Sequence, residues 1–399
     1  MHEFDFYPLA GINTVAPDTD MVKTDNNSRR VYARDLLNGR VDSAGRWAAR
    51  QGTTRVSTTN LTCLWHSERF NESFAIHGTD LVRVADDWSF EVIGTGVGGE
   101  ASYCELNNTL VIATPRGLYE WNGANLLTLT LADPPAPYAQ SATVGGLDAG
   151  TYAVAISYRR DYKESSVSEA VFVEVAQGGG IDLTLPSAAL LEPSATHISI
   201  YLSHPNGGDL YEVQMVLSGQ TSLTLGGDVT YGKLAAHRFL TAMPTGKTVR
   251  FWRGRLVTPV SNTLHFSEAL NYHLNDPRHG FIQLPTRITF VEPVDGGLWV
   301  GQKTHAIFLS GDSLETLTIA YKNSRAPIPW SSTRVNSELF GDGISEGGAT
   351  TACWMAANGY VIGTSSGVAR EVSAGVLDGI TGTRGQTIAH NRFFLTITS

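Results

Sequence analysis

One pattern recurs along this chain: an Asn or Asp turn, an alternating apolar strand, a tight Gly or Asn turn, and a second alternating strand. It is plainest where Leu106-Asn107-Asn108-Thr109 leads through Leu110-Val111-Ile112-Ala113 and Thr114-Pro115-Arg116-Gly117 to Leu118-Tyr119-Glu120-Trp121. A second copy runs from Val294-Asp295-Gly296-Gly297 to Ile307-Phe308-Leu309, and a third from Ala357-Asn358-Gly359 to Val368-Ala369. Weaker copies start near Phe74 and Leu256. Such a unit cannot bury its apolar face alone, so several must be arrayed radially or stacked, which is the logic of a β-propeller. The expected fold class is all-β.

Glycine, at 41 of 399 residues, exceeds the usual share of about 7%, and strand formers follow most of these glycines. A net charge of −9 argues against a general phosphate-binding surface, because binding by counterion release needs clustered Lys and Arg. A conduit lined with acid would instead repel nucleic acid. Cys63, Cys104 and Cys353 lie far apart and are odd in number, which points to reduced, buried thiols. The opening Met1-His2-Glu3-Phe4-Asp5-Phe6 has neither a basic start nor an apolar core, and no apolar run approaches the roughly 20 residues of a membrane span. The expectation is synthesis in a cytoplasm, with any extracellular life reached by assembly.

The first strand of each unit serves as a ruler. Phe74 to Leu110 is 36 residues and Leu256 to Leu298 is 42, each near one blade. Leu298 to Tyr360 is 62, with a polar excess between about Asn323 and Gly348 that reads as a long loop. Leu110 to Leu256 is 146, and subtracting a blade of about 40 leaves roughly 100 residues, the size of an independent sandwich. Proline marks its limits: Asp133-Pro134-Pro135-Ala136-Pro137 reads as a stiff linker, and Met243-Pro244-Thr245-Gly246 closes the segment. Inside, Gly150–Arg159, Val171–Val175, Ile198–Leu202 and Leu210–Val216 alternate as strands. Leu147–Tyr152 and the Ser-rich Glu164-Ser165-Ser166-Val167-Ser168 resemble the fibronectin type III pattern.

The expected organisation is a discontinuous propeller, 1–135 with 244–399, carrying an inserted sandwich at 136–243. Five units plus one composite blade give six, with five to seven allowed by the spacing. The composite blade would join Gly385–Ile397 to strand-like pieces near Arg29–Ala33 and Arg46–Arg50, closing the ring with the chain ends. Ser267–Leu274 is helix-like for about two turns at most.

Motifs that elsewhere carry chemistry read here as turns. Gly94-Thr95-Gly96-Val97-Gly98-Gly99 has dinucleotide-loop spacing, but a strand follows it rather than a helix. Gly363-Thr364-Ser365-Ser366-Gly367 has nucleophile-elbow spacing and joins two strands of one unit. His265, His273, His279 and His305 lack the short paired spacing of a zinc site, and Asn275-Asp276-Pro277-Arg278 is a turn. Asp18-Thr19-Asp20 and Asp86-Asp87 read as solvated turns. Trp65, Trp121, Trp252, Trp299 and Trp354 fall at strand positions and read as packing. No catalytic residue, metal or cofactor is expected. The one arginine-dense region is Arg29, Arg30, Arg34, Arg40, Arg46 and Arg50. Alternating with Asp35 and Asp42, it reads as ion pairs at a subunit interface, with a DNA-facing role as the other assignment.

Two regions carry a family resemblance. Gly11-Ile12-Asn13-Thr14, Val31-Tyr32-Ala33-Arg34-Asp35-Leu36-Leu37, Asp42-Ser43-Ala44-Gly45-Arg46 and Arg50-Gln51-Gly52 resemble the opening of bacteriophage structural proteins. Leu264–Leu270, Asp276-Pro277-Arg278, Phe281–Pro285 and Pro293–Leu298 are similar to a run in the same proteins. A propeller with an inserted domain resembles the tail nozzle or hub of short-tailed phages, also called the packaged-DNA stabilisation protein. The resemblance implies a non-enzymatic virion component. About six copies would form a homo-hexameric ring below the portal and adaptor, meeting other tail proteins or fibres. Packaged double-stranded DNA would pass the lumen without sequence-specific binding, and nothing would insert in a membrane. A carbohydrate-binding tail protein that meets the host surface through exposed Trp and Tyr is the alternative. A polysaccharide-degrading propeller would need convergent carboxylates or a metal.

Overall fold

The structure is a computed structural model that describes residues 8–25, 28–37, 39–42, 44–49, 52, 54–187, 192–322, 324–340, 347–390 and 393–399. Among them the chain forms 37 strands and three short 3-10 helices, so it is nearly all-β. It divides into two compact units, residues 60–283 and residues 1–59 with 284–399.

The repeats fold into four-stranded antiparallel sheets, each strand pairing with the next in sequence except that Leu274–Asn275, which pairs with Thr241–Ala242, intervenes before the last strand of one. In the 60–283 unit, one meander is Leu61–Ser67, Glu72–His77, Asp80–Val84 and Phe90–Gly94, and the next is Ser102–Leu106, Thr109–Thr114, Gly117–Trp121 and Leu126–Thr128. A third is Arg250–Trp252, Arg255–Val260, Thr263–Phe266 and Phe281–Gln283. Phe74, Ile76 and Leu81 of the first share a core with Tyr103, Leu110, Ile112 and Trp121 of the second. The other face of the second meander puts Leu106, Val111 and Leu118 into a core with Val249 and Leu256 of the third. A strand buried on both faces reads as a continuous apolar run, and Leu110-Val111-Ile112-Ala113 is one. The second unit has two further meanders, at 288–321 and 333–371, which share a core of Phe290, Trp299, Phe308, Trp354 and Val361.

Between the second and third meanders, residues 138–225 form two antiparallel sheets. Tyr138–Ala142, Gly180–Thr184 and Ser222–Leu225 make one. Lys163–Glu164, Gly150–Arg160, His197–Ser203 and Leu210–Leu217 make the other, with Val171–Val175 also paired to Gly150–Arg160. Tyr152, Val154, Ile156 and Tyr158 alternate onto one face and pack with Ile181, Leu183 and Leu225 of the opposite sheet. Period-two alternation therefore sets both the fold and the register of this insert.

Two expectations change. The 323–348 stretch is not wholly loop: Thr333–Asn336 is the first strand of its meander, with Val335 buried. Ser267–Leu274 forms no helix. Leu270 sits at φ 63 and its N–H bonds to Gly254 O, while Ser267 exchanges bonds with Leu256. Left-handed backbone at a leucine is incompatible with a helical run. Near the chain ends, Leu9–Ile12 and Val22–Asp25 flank Ser28–Ala33, Gly39–Val41 pairs Trp47–Ala49, and Gly385–His390 pairs Phe393–Thr398, while the Thr14 N–H bonds Val376 O at 2.9 Å.

Candidate functional site

Of the six arginines singled out from the sequence, five are described, and they have separate partners and faces. Arg29 and Arg30 are neighbours on one strand and point to opposite faces, opposite Thr24 and Lys23 in register. Arg34 bonds Asn13 O at 3.2 Å and pairs with the exposed Asp18, while Asp35 instead caps the N–H of Leu36. Arg40 is exposed opposite Ala48, and Arg46 pairs with Asp42 at 3.0 Å. Arg50 lies outside the described residues. The two ion pairs seen are thus within the chain and at its surface, where each is worth about 0–1 kcal/mol.

The turn motifs are turns. Gly94–Gly99 connects two meanders, with Gly96 at φ 65 and its N–H on Asp80 Oδ1 at 2.7 Å. Gly363–Gly367 joins two strands of one meander, and Thr364 N bonds Val368 O. Asp276 accepts from Arg278 and His279, so its carboxyl is held well below the usual carboxylate range, chiefly by the Arg278 guanidinium. His265, His273, His279 and His305 form no cluster, and no group of three or more potential metal ligands occurs among the described residues. Trp121, Trp252, Trp299 and Trp354 are buried, whereas Trp65 is half-buried and stacks on Tyr103 at 5.1 Å.

A buried constellation of charged side chains was missed from sequence, and it sits where the insert meets the 102–128 meander. Along Gly150–Arg160, even positions face the insert's core, so Arg160 continues the row of Tyr152, Val154, Ile156 and Tyr158. A charge on a core face must find partners there. Arg160 donates to Glu120 at 3.3 Å, to Thr128 Oγ1 at 3.0 Å and to Thr128 O. Lys163 places Nζ 2.6 Å from the same Glu120 carboxylate and donates to Leu129 O. Burial pulls the Lys163 pKa down, and the charge of Glu120 opposes that shift. Arg160 and Lys163 come from the insert, and Glu120, Thr128 and Leu129 from the meander and its exit.

The linker is fixed in the same way. Asp133 Oδ1 accepts from Ser166 Oγ at 2.6 Å and from the Ala242 N–H at 3.0 Å, so one carboxylate ties the start of the insert to its end. Ala132 N bonds Glu192 Oε2, and Pro134 and Pro137 are buried. His273 Nε2 donates to Glu164 O at 2.9 Å, and burial lowers its pKa to about 4.

The Ser-rich 164–168 stretch has a specific job. Ser165 Oγ accepts from Tyr158 N and Ser168 Oγ from Ile156 N, supplying acceptors along the edge between the Lys163–Glu164 and Val171–Val175 pairings. Beside it, Glu164 receives Tyr201, Ser157 and Arg159. Burial alone would raise its pKa, but those donors and Lys233 outweigh it and hold the carboxyl below its ordinary value. A carboxylate so fully bonded stays charged and makes a poor proton carrier, so this constellation fastens elements together.

No family model and no curated protein matches the chain. Among solved structures, BBS1N in its complex with ARL6DN aligns over 85% of this chain and 90% of that one at 11% identity, with a TM-score of 0.35. Apo AztD from Citrobacter koseri aligns over 79% and 87% at 10% identity, with a TM-score of 0.28. Values in this range assign the chain neither a family nor an activity.

Proposed function

We propose that this chain is a non-enzymatic structural subunit of a short-tailed phage tail, of the nozzle or hub type. About six copies form a ring that extends the DNA channel below the portal and adaptor and helps to retain packaged DNA. In this reading the meanders are blades of a propeller and the insert is a fibronectin type III-like sandwich. The observation that carries the proposal is the fastening of the insert to the 102–128 meander by Glu120, Arg160, Lys163 and Asp133. A part that must resist internal pressure gains from consecutive sheets that share cores and from a module that cannot swing. The resemblance of residues 11–52 and 264–298 to phage structural proteins supports the same reading. The acidic balance fits a passage to which DNA does not adhere.

Electron microscopy of tails from the virus that encodes the chain tests this, with antibody labelling and mass spectrometry of purified particles. The expected result is label on the tail axis below the portal, in a ring with a lumen at or above the width of duplex DNA. Absence from purified particles, or a threefold spike at the periphery, would defeat the proposal.

A further inference from the structure

The three cysteines meet three different environments. The sequence predicts buried thiols throughout; Cys104 and Cys353 are buried, whereas Cys63 is half-buried. Cys353 lies in the Thr350–Ala356 strand, where burial pushes its thiol up to about 12. Cys104 is a donor, its S–H directed to Glu105 O at 3.7 Å, an interaction that only the protonated thiol makes. Cys63 is an acceptor. Its sulfur takes the Ala101 N–H at 3.4 Å, and a thiolate accepts such a bond better than a thiol does. Because the thiolate is the nucleophile, burial and donation hold back two cysteines, while the third presents its sulfur as an acceptor within reach of solvent.

The backbone is shaped to place that sulfur. Where Leu61–Ser67 pairs with Glu72–His77, Thr62 faces Ile76 and Trp65 faces Phe74, so Cys63 and Leu64 together oppose Ala75. Two residues against one make a β-bulge, which re-aims a side chain, and Cys63 takes left-handed backbone at φ 52, uncommon for a residue with a Cβ. A second group stands beside it. Tyr103 is 9% exposed, and its hydroxyl has no hydrogen-bond partner among the described residues. Cys63 packs against the core that holds Tyr103, whose ring stacks on Trp65 at 5.1 Å. Burial raises the Tyr103 pKa far above its ordinary value, and the charge of a Cys63 thiolate raises it further, so the sulfur lies within electrostatic reach of the hydroxyl. The hydroxyl therefore stays protonated, a buried donor that lacks an acceptor. A thiolate at Cys63 supplies one.

We infer that Cys63 is the chain's site of thiol–disulfide exchange, taking up one half of a low-molecular-weight disulfide, with the Tyr103 hydroxyl donating to the attacking sulfur. The Cys63 thiol gives its proton to solvent and attacks one sulfur of the disulfide. A new S–S bond forms to Cys63 as the old one breaks, and the departing thiolate takes up a proton; Cys63 is oxidised and the released half is reduced. This inference does not depend on the tail assignment. Oxidised glutathione, added near neutral pH to the purified, fully reduced full-length chain, tests it by intact mass and peptide mapping. Wild type is expected to take a single adduct, at Cys63, at least as fast as the same cysteine reacts in the urea-unfolded chain, and dithiothreitol should remove it. Cys63→Ser should take none while folded. Tyr103→Phe removes only the unpartnered hydroxyl and should keep the circular dichroism spectrum while slowing exchange about threefold or more. A hydrogen bond to a charged group shifts a thiolate population about tenfold, and the more basic sulfur of the variant recovers about half of that, on a logarithmic scale, as nucleophilicity. Should that variant misfold, the comparison of folded with unfolded wild type decides the reactivity by itself. Adducts first at Cys104 or Cys353, a Cys63 that reacts more slowly folded than unfolded, or exchange in folded Tyr103→Phe as fast as in wild type would each overturn the inference.

Discussion

Glu120 shows what a single side chain can hold. Its carboxylate is the shared partner of two cations that are each only 5% exposed. Removing one member of a buried ion group leaves the others uncompensated, so Glu120→Gln is expected to destabilise by about 3–5 kcal/mol in urea unfolding. Arg34→Ala, which breaks an exposed pair with Asp18, should cost about 1 kcal/mol or less. Equal losses for the two variants would show that the interlock contributes no more than a surface pair. His273 adds a pH dependence with a definite sign. Its folded pKa, about 4, lies below the ordinary 6.5, so its neutral form is favoured by folding. That contribution is fully present above pH 6.5, falls as pH drops toward 4, and changes no further below it, with a span of up to about 3 kcal/mol. A Tm series from pH 7 to 4 should therefore slope less steeply in His273→Gln than in wild type. An unchanged slope would assign the acid sensitivity elsewhere.

At the scale of elements, the repeat was legible because alternation and turn residues speak for themselves locally. Leu106–Trp121, Val294–Leu309 and Ala357–Ala369 each fold as the hairpin their pattern describes. Thr333–Asn336 was hidden because four residues between polar stretches carry too little period to be seen. The interlock was hidden for another reason. Arg160 and Glu120 are 40 residues apart, and only the face parity of Gly150–Arg160 hints that Arg160 points inward. The six N-terminal arginines were conspicuous by density, yet density says nothing of direction, and adjacent positions on a strand diverge. Two elements yield predictions. Gly367 closes a hairpin at φ 83, and a Cβ there would lie 2.4 Å from the Phe308 ring. Gly367→Ala should cost about 1–3 kcal/mol through strain and displaced packing, read from the thermal midpoint. Ser168→Ala removes the acceptor of the buried Ile156 N–H at 3.0 Å. A loss of about 1–3 kcal/mol is expected, with faster amide exchange at Ile156 as its local signature. Normal protection at Ile156 in that variant would mean that the hydroxyl is not the group that secures the edge.

For the whole molecule, the question is whether the insert is a passenger or a part of the body. A tethered passenger would join through solvated linkers and unfold by itself, as loosely joined domains do. Here the 134–137 prolines are partly buried, Asp133 ties the start of the insert to Ala242 at its end, and Arg160 on the insert's core row and Lys163 on the adjoining strand are both neutralised by Glu120 of the neighbouring meander. Opening the insert would expose Arg160 and Lys163 at the cost of every bond to Glu120, Thr128 and Leu129, so the insert and the 102–128 meander should lose structure together. In native-state digestion with thermolysin, the wild-type chain is then expected to resist cleavage at 130–137 up to its global unfolding. The double variant Glu120→Gln, Asp133→Ala removes the ion group and the tie at once, and should release an intact 136–243 fragment under conditions where the wild-type chain is uncut. Mass spectrometry of the digest identifies the fragment, and calorimetry should show one transition of the 60–283 unit separating into two. Release of the same fragment from wild type at the same rate would mean that the buried charges decorate the junction without joining its two sides.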